Sequence, residues 1–396
     1  MNAGNVALRQ SKKMRFYKIL IVVICSVAIF SCTPASKLKN TKTTSIGQLK
    51  LLNEYVIPNA LQYKGTTVGG LSDIDYDVKN DVYYLVSDDR SAINPARFYK
   101  AKISISEKGI DTIEFVDVIS LLDKNGNTYP SRQTDASHAP DPESMRYNPI
   151  RNELVWGSEG ERIVTSEKTV IEDPAIYIIN MNGVCKDSFL LPANMHMHKE
   201  EKGLRQNGVF EGITFTNDYK YLFASVEEPI YEDGARAGSG DSTAWVRFLK
   251  FDVKTKKQVA QYAYQVDAIP YPSNPAGEYK INGIPDILYI GDNKFIVIER
   301  AFSTGHVGNT VRIYLADVSG AADIANVNSL QSSPPVKPIT KKLLINMDNL
   351  GRYIDNVEGV TFGPLLPNGH HTLIFAVDDN FEKTEKTQFF LFEVLP

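Results

Sequence analysis

The amino-acid sequence predicts an all-β fold, a β-propeller of five four-stranded blades. Three observations favour it. One hairpin-like segment occurs five times, its copies are evenly spaced, and the two chain ends together supply one complete unit. The composition agrees, since Tyr (20 residues) and Phe (18 residues) are plentiful and β-branched residues crowd short segments. Two separate β-sandwiches are an alternative, because they also contain short, regularly spaced strands.

The repeated segment has an apolar strand with an aromatic residue, a turn, and a second strand that ends in an acidic residue. Its five copies occupy residues 70–90, 142–162, 210–229, 283–301 and 357–380. Their aromatic residues are Tyr76, Tyr147, Phe215, Tyr289 and Phe362, at separations of 71, 68, 74 and 73 residues. Such regular spacing indicates one structural unit per copy, in which the segment forms the two inner strands.

The intervals between the copies supply the outer strands. Two strand candidates follow each of the first four copies, at 96–105 and 111–121, 175–183 and 185–192, 245–253 and 257–266, and 310–318 and 341–347. The fifth copy is followed by one candidate, 387–395, and the missing fourth strand is available at 49–58. A blade completed from both ends of the chain closes the ring and hides strand edges that would otherwise promote aggregation.

The N-terminal residues are predicted to lie outside the propeller domain, which we place at 49–396. Basic residues precede the apolar stretch 19–31, which suits a signal-peptide core and is short for a membrane span. The motif "IFSC" resembles a bacterial lipobox. We therefore expect a lipoprotein signal peptide at 1–31, a lipidated Cys32 and a polar tether at 32–48. An ordinary signal-peptidase site and a translation start at Met14 are alternatives.

The net charge and the cysteine content limit the binding partners and disulfide bonds that we expect. A formal net charge of −4 gives no reason to expect nucleic acid as a partner. After export, Cys185 would have no thiol to pair with, so the domain is expected to be held by its core. No acidic run follows Cys32. We therefore expect a monomeric outer-membrane lipoprotein that faces the periplasm and contacts the membrane through its lipid anchor only.

Propeller topology brings acidic residues to one face, because the start of strand one and the end of strand two share that face. Glu143, Glu211 and Glu358 begin strand one, four residues before the aromatic residue, and Asp73 and Asp286 stand one position later. Further acids end strand two, namely Asp88, Asp89, Glu159, Glu227, Glu228, Glu299, Asp378 and Asp379. Converging carboxylates repel one another unless cations neutralise them.

These residues predict a metal and anion site at the channel mouth. Hard oxygen ligands suit a divalent cation, Ca²⁺ in the first instance, with Glu143, Glu159, Glu211, Glu227, Asp286 and Glu358 as its ligands. Arg90, Arg162 and Arg300 follow the acidic strand ends and are expected to bind an anionic substrate. The alternative is that acid–arginine pairs only join neighbouring blades.

Histidines offer weaker candidates. His138 and His306 lie in loops of the same face and could act in acid–base chemistry. His196 and His198 would share one side of an extended segment, as a transition metal requires.

Four pairs of motifs occur in order along the chain: "GLSDIDYD" with "YYLVSDDR", "DPESMRY" with "GSEGER", "NGVFEGITF" with "SVEE", and "NVEGVTF" with "FAVDDN". At these motifs, over about residues 65–396, the chain resembles the bacterial phytase-like propeller family described as having "esterase-like activity of phytase". The resemblance implies metal-dependent hydrolysis of esters, with Asp73, Glu143, Glu211 and Glu358 as catalytic positions. Characterised alkaline phytases have six blades, so a six-bladed ring is the alternative to five.

Three functions are compatible with these observations. The first is a metal-dependent hydrolase of small anionic phosphate esters or carboxylic esters. The second is a non-catalytic envelope lipoprotein that binds a ligand or partner, which the absence of a standard nucleophile–base motif favours. The third is a lactonase-like hydrolase on the same metal-centred scaffold. A propeller hosts many functions, so the fold does not choose among them.

Overall fold

The computed structural model describes residues 45–238 and 242–396. The predicted signal peptide, Cys32, Met14 and most of the predicted tether lie outside the described residues, so these predictions remain open. The described chain opens with strand β1 (Gln48–Ile57), followed by a small hairpin of β2 (Gln62–Tyr63) and β3 (Thr66–Thr67).

Blades 1 to 3 are antiparallel four-stranded sheets, and we give their strands from the inside outwards. Blade 1 contains β4 (Leu71–Asp77), β5 (Val82–Ser87), β6 (Arg97–Ser106) and β7 (Gly109–Ser120). Blade 2 contains β8 (Pro142–Asn148), β9 (Glu153–Ser158), β12 (Ala175–Asn180) and β13 (Cys185–Ser188), and carries an inserted hairpin of β10 (Glu161–Val164) and β11 (Thr169–Glu172). Blade 3 contains β14 (Phe210–Phe215), β15 (Tyr221–Val226), β16 (Ala244–Asp252) and β17 (Lys257–Val266).

Blade 4 has an interrupted inner edge. It contains β18 (Lys280–Gly283), β19 (Ile287–Gly291), β20 (Lys294–Ser303), β21 (Thr310–Asp317) and β22 (Thr340–Asn346). Both β18 and β19 pair with β20, and the residues between them include Pro285. Proline has no N–H to donate to a strand ladder, which accounts for the interruption.

Blade 5 closes the ring. It contains β23 (Asn356–Phe362), β24 (Thr372–Asp378), β25 (Thr387–Leu395) and β1 as its outer strand. The register of β1 against β25 runs from Gln48 opposite Leu395 to Ile57 opposite Thr387. The prediction of five blades closed by an N-terminal strand is confirmed, and the alternatives of six blades and of two sandwiches are wrong.

The hydrophobic core lies between adjacent blades, where the apolar sides of neighbouring sheets meet. Trp156 of blade 2 is fully buried with Tyr84 and Phe98 of blade 1. Blade 5 contributes Phe375 and Phe392 to a cluster with Ile298 of blade 4. Each fully buried side chain of this size contributes roughly 2–3 kcal/mol, so these layers fix how neighbouring blades pack.

Two short 3-10 turns lie in irregular segments of the described chain. Tyr231–Asp233 lies between β15 and β16 of blade 3, and Met347–Leu350 lies in the connection from blade 4 to blade 5. Among the described residues, no helix is long and apolar enough to cross a membrane.

Candidate functional site

A group of buried and half-buried carboxylates lies where the inner strands begin on the face of the long loops. We call it the acid ring; its members are Asp88, Asp141, Glu143, Glu159, Glu211, Glu227, Glu358 and Asp378. They come from blades 1, 2, 3 and 5, at the beginning of an inner strand or the end of the next one. The sequence predicted that all of these acids except Asp141 share one face, and this arrangement agrees with that prediction.

The three glutamates that begin inner strands occupy irregular positions of their ladders. The pairing of β8 with β9 shifts at Glu143, between Pro142 and Ser144. The pairing of β23 with β24 shifts at Glu358, and that of β14 with β15 shifts across Glu211 and Gly212. A bulge places an extra residue in one strand and re-aims its side chain, and it commonly lies beside a functional site.

A glycine follows Glu211 and Glu358 because neighbouring inner strands approach closely there. A Cβ atom on Gly212 would lie 2.8 Å from the Cα atom of Asp286 in blade 4. A Cβ atom on Gly359 would lie 2.8 Å from the Cα atom of Asp73 in blade 1. The repeated Glu-Gly pair therefore combines a side chain for the site with a residue small enough for the narrow end of the blade.

Burial and mutual repulsion raise the pKa values of the ring carboxyls. Burial raises the pKa of Glu143 well above its usual range, and Asp141 and Glu211 raise it further. Burial also raises the pKa of Glu211, with Glu227 and Glu159 adding to the effect. The pKa of Asp141 rises to about 6, mainly through burial. These shifts mean that keeping every ring carboxyl ionised costs free energy unless cations are present.

Two arginines neutralise part of the negative charge of the acid ring. Arg300 contacts Glu227 at 3.0 Å and Glu358 at 2.5 Å, so it bridges blades 3, 4 and 5. Arg90 contacts Asp141 at 3.2 Å. Within residues 45–238 and 242–396, these are the ion pairs that reach the ring, and they leave its negative charge in excess.

One part of the ring has the donor set of a divalent cation site. Asp141, Glu143 and Glu159 each offer an oxygen atom, and these atoms lie within 4.8 Å of one another. The Oδ1 atom of Asp88 is buried and accepts no hydrogen bond from the described residues. One oxygen of Glu159 accepts hydrogen bonds from the backbone N–H groups of Gly208 and Val209, which fixes its position. Buried hard oxygen atoms with incomplete partners fit Ca²⁺ or Mg²⁺.

Asp73 and Asp286 lie outside the acid ring, where both pair with a buried arginine, Arg146. Arg146 lies three residues after Glu143 on β8, about 10 Å further along the channel. Its guanidinium donates to Asp73 at 2.5 Å and to both oxygens of Asp286 at 2.7 and 2.8 Å. It also donates to the carbonyls of Ile74 and Val360, so it links blades 1, 2, 4 and 5. This pairing favours a structural role for both aspartates over the catalytic and metal-binding roles that the sequence suggested.

The second acid at each strand end also has a partner outside the ring. Asp89 contacts Arg97 at 2.7 Å, and Glu228 contacts Arg236 at 2.8 Å. Asp379 accepts a hydrogen bond from the backbone N–H of Gly70. In blade 4 there is no acid pair; Glu299 precedes Arg300 and contacts Lys341 at 2.5 Å. Because successive strand residues point to opposite sides, one acid of each pair faces the channel and the other holds blade elements together.

A protein family described as "Phytase-like: Esterase-like activity of phytase" matches residues 66–381. The chain belongs to this phytase-like family. No curated protein matches the chain.

Solved structures resemble the phytase-like chain only weakly. The endo-arabinase of Bacteroides thetaiotaomicron shares 10% identity over 86% of this chain and 98% of its own, with a TM-score of 0.43. An α-L-arabinofuranosidase of Lactobacillus brevis shares 8% identity over 82% and 91%, with a TM-score of 0.47. The periplasmic gluconolactonase of Pseudomonas aeruginosa shares 10% over 84% and 90%, with a TM-score of 0.35. At these values no activity carries over to the phytase-like chain.

The arginines predicted to bind substrate take three different positions in the phytase-like chain. Arg300 lies in the ring. Arg90 also contacts Glu161, while its buried Nε–H group finds no acceptor within the described residues. Arg162 donates to the backbone carbonyls of His198 and Lys199, away from the ring carboxylates. Arg162 therefore supports a loop in this structure, and its substrate-binding role stays a prediction.

The histidine candidates lie at the periphery. His138 contacts Asp135 at 2.9 Å in an exposed loop, and His196 contacts Asp173 at 2.7 Å. His306 stacks on Tyr271 with a centroid distance of 4.2 Å. Among the described residues, His198 belongs to no group of acids, histidines and cysteines arranged like metal ligands.

Sequence reasoning missed Asp141, Arg146 and Glu161 of the phytase-like chain. Asp141 directly precedes the strand that carries Glu143, within the motif "DPESM", so its position was a usable signal. Arg146 sits inside an apolar strand, where an arginine is unexpected unless it is paired. Glu161 begins the inserted hairpin and accepts from both Arg90 and Arg132, a contact that no local pattern indicates.

Proposed function

We propose that this phytase-like propeller is a metal-dependent hydrolase of phosphate or carboxylic esters, with the acid ring as its centre. The observation that carries the proposal is the excess of buried carboxylates over the two arginines that pair with them. Such an excess is costly for a protein that binds no cation there, and membership of a family described by esterase-like activity supports the same conclusion.

In this proposal Asp141, Glu143 and Glu159 hold a divalent cation, with Asp88 and Glu211 beside them. Ca²⁺ is the preferred ion because the ligands are hard oxygens from several chain positions. A bound cation would polarise the ester group and lower the pKa of a coordinated water molecule. The ring then needs no serine or cysteine nucleophile.

The raised pKa values give the ring carboxyls complementary proton-transfer roles. A carboxyl that is still protonated near neutral pH can donate a proton to the leaving oxygen, whereas an ionised neighbour can accept one from water. Glu211 is the candidate donor, since it stands beside the proposed metal ligands and burial raises its pKa well above the usual range, whereas Glu143, as a metal ligand, would be ionised. Arg300 and the unpaired Nε–H of Arg90 can orient an anionic substrate.

We also propose that the enzyme works in the cell envelope as a monomeric outer-membrane lipoprotein that faces the periplasm. The lipobox-like "IFSC", whose cysteine Cys32 would carry the lipid, supports this proposal. Radiolabelled palmitate should be incorporated into wild-type protein and not into Cys32→Ala.

The direct test measures metal binding and turnover of residues 45–396 together. Wild-type protein should bind Ca²⁺ in calorimetry, hydrolyse p-nitrophenyl phosphate or p-nitrophenyl acetate, and lose activity in EDTA. Glu143→Gln should weaken Ca²⁺ binding by roughly tenfold or more and lower kcat, because it removes a charged ligand of the cation.

Glu299→Gln is the matched control, since it removes a buried carboxylate that contacts Lys341 outside the ring. It should retain Ca²⁺ affinity and turnover. A panel of esters and lactones with Ca²⁺, Mg²⁺ and Mn²⁺ that gives no turnover would contradict the hydrolase proposal, and Ca²⁺ binding alone would then favour the non-catalytic alternative. Turnover of lactones alone would favour the lactonase alternative.

A further inference from the structure

An exposed aromatic patch adjoins the acid ring on blade 4. We call it the aromatic step; it consists of Tyr279, Ile281 and Phe302. Phe302 is 38% exposed, and Tyr279 precedes β18 and is 56% exposed. Their rings lie 6.0 Å apart between centroids, with an angle of 38° between the ring planes. Isolated exposed apolar residues are common, but this set forms one surface beside a polar site.

Strand geometry sets the step beside the ring. Arg300 and Phe302 are two residues apart on β20, and the ladder with β18 is regular between them, so both side chains project from the same side. Their Cα atoms are therefore about 7 Å apart. Arg300 contacts Glu227 and Glu358, so it belongs to the acid ring. Phe302 therefore lies at the edge of the charged site.

The strand beside β20 keeps this surface continuous. Ile281 stands opposite Phe302, and Gly283 stands opposite Arg300. A Cβ atom on Gly283 would lie 2.7 Å from the Cγ atom of Glu227, so the glycine leaves room for that carboxylate to approach Arg300. The surface thus changes from charged to apolar over one strand pair.

Tyr279 is held in place through its backbone. Burial raises the pKa of its hydroxyl, and the charges of Glu228 and Glu227 raise it further. The backbone N–H and the hydroxyl of Thr304 both donate to the carbonyl of Tyr279, at 3.0 and 2.8 Å. The step is therefore fixed before any ligand binds, which lowers the entropic cost of binding.

We propose that the aromatic step binds a non-polar ring attached directly to the ester or phosphate group of the substrate. Arg300, which would contact the anionic group, and Phe302, which would contact the apolar ring, are only two residues apart on β20. The anionic group and the apolar ring of the substrate must therefore be directly bonded neighbours. Tyr and Phe faces offer apolar area and preferred stacking or edge contacts to such a ring. The inference rests on the proposed function, because it assigns the anionic group to the acid ring.

Binding of non-hydrolysable probes tests the step without requiring turnover. Phenylphosphonate and methylphosphonate share the same anionic group, but the first carries a phenyl ring and the second a methyl group. Titrated into residues 45–396 in calcium-containing buffer, phenylphosphonate should bind wild-type protein about tenfold more tightly. Phe302→Ala and Tyr279→Ala should each remove most of this preference and leave methylphosphonate affinity unchanged.

Leu365→Ala is the matched control, because Leu365 is 58% exposed in the turn between β23 and β24 on the opposite face. It should keep the preference. Equal binding of both probes by wild-type protein, binding of neither, or an unchanged preference in both step variants would overturn the inference. A phenyl preference in a protein that hydrolyses no ester would instead contradict the hydrolase proposal and leave the step in place.

Discussion

At the scale of residues, the side chains of the channel divide by their partners. Asp73 and Asp286 share the guanidinium of Arg146, whereas Asp88, Glu143 and Glu159 have no arginine or lysine partner within the described part of the chain. The sequence predicted all five acids on one face of the propeller. The difference arises because Arg146 stands on β8 and comes within reach of two other blades only when the ring closes.

We expect Arg146→Met to destabilise the protein by about 3–5 kcal/mol, because it leaves two carboxyls buried without their cation. Urea unfolding of wild-type and variant protein measures the change. Adding Asp73→Asn and Asp286→Asn to Arg146→Met should recover a large part of the loss. If the triple variant is no more stable than Arg146→Met, the three side chains do not form the charge unit described above.

At the scale of elements, the inner strands combine a site function with tight packing. Glu211 and Glu358 lie at ladder shifts, and the glycine after each faces the backbone of an inner strand from another blade. Side-chain hydrogen bonds also join the inner strands of neighbouring blades. Asp73 accepts a hydrogen bond from the N–H of Met145, and Thr214 accepts one from the N–H of Tyr289. The site carboxylates therefore rest on the most constrained part of each blade.

Gly212→Ala tests this packing. The added methyl group would meet the Cα atom of Asp286 at 2.8 Å and the N atom of Ile287 at 2.7 Å, so the strands must separate. We expect a loss of about 1–3 kcal/mol in unfolding free energy, measured by urea titration. Gly320→Ala is the control, since nothing lies within 4 Å of the added atom, and it should be neutral. Equal stability of the two variants would refute the close approach.

At the scale of the whole molecule, the acid ring couples stability to pH and to cations. Burial raises the pKa of Asp141 from 3.8 to about 6 and that of Glu228, beside the ring, from 4.5 to about 8. A carboxyl with a raised folded-state pKa binds its proton more tightly in the folded protein. Its stabilising effect is present below the unfolded pKa and is lost as pH rises through the folded pKa. Stability should therefore fall between about pH 4 and pH 8 when no divalent cation is present.

We expect the Tm of residues 45–396 in EDTA to drop by about 5 °C or more from pH 5 to pH 8. Calcium should restore much of this loss at pH 8 and have a smaller effect at pH 5, where the ring binds protons instead. Differential scanning calorimetry measures both. Glu143→Gln should show a shallower pH dependence in EDTA, while a calcium effect that is independent of pH would argue against binding at the ring.

The sequence by itself determined the repeat, the inner and outer strands, closure by residues 49–58, and the face on which the acids gather. Strand alternation and even spacing are local properties, so they can be read along the chain. Only the tertiary structure decided which acids meet which cations. Arg146 and Asp286 are 140 residues apart, and Arg300 and Glu227 are 73 apart, so no local pattern links them. Closure of the propeller brings these residues together. It thereby decides which acids pair with arginines between blades and which remain available to a ligand.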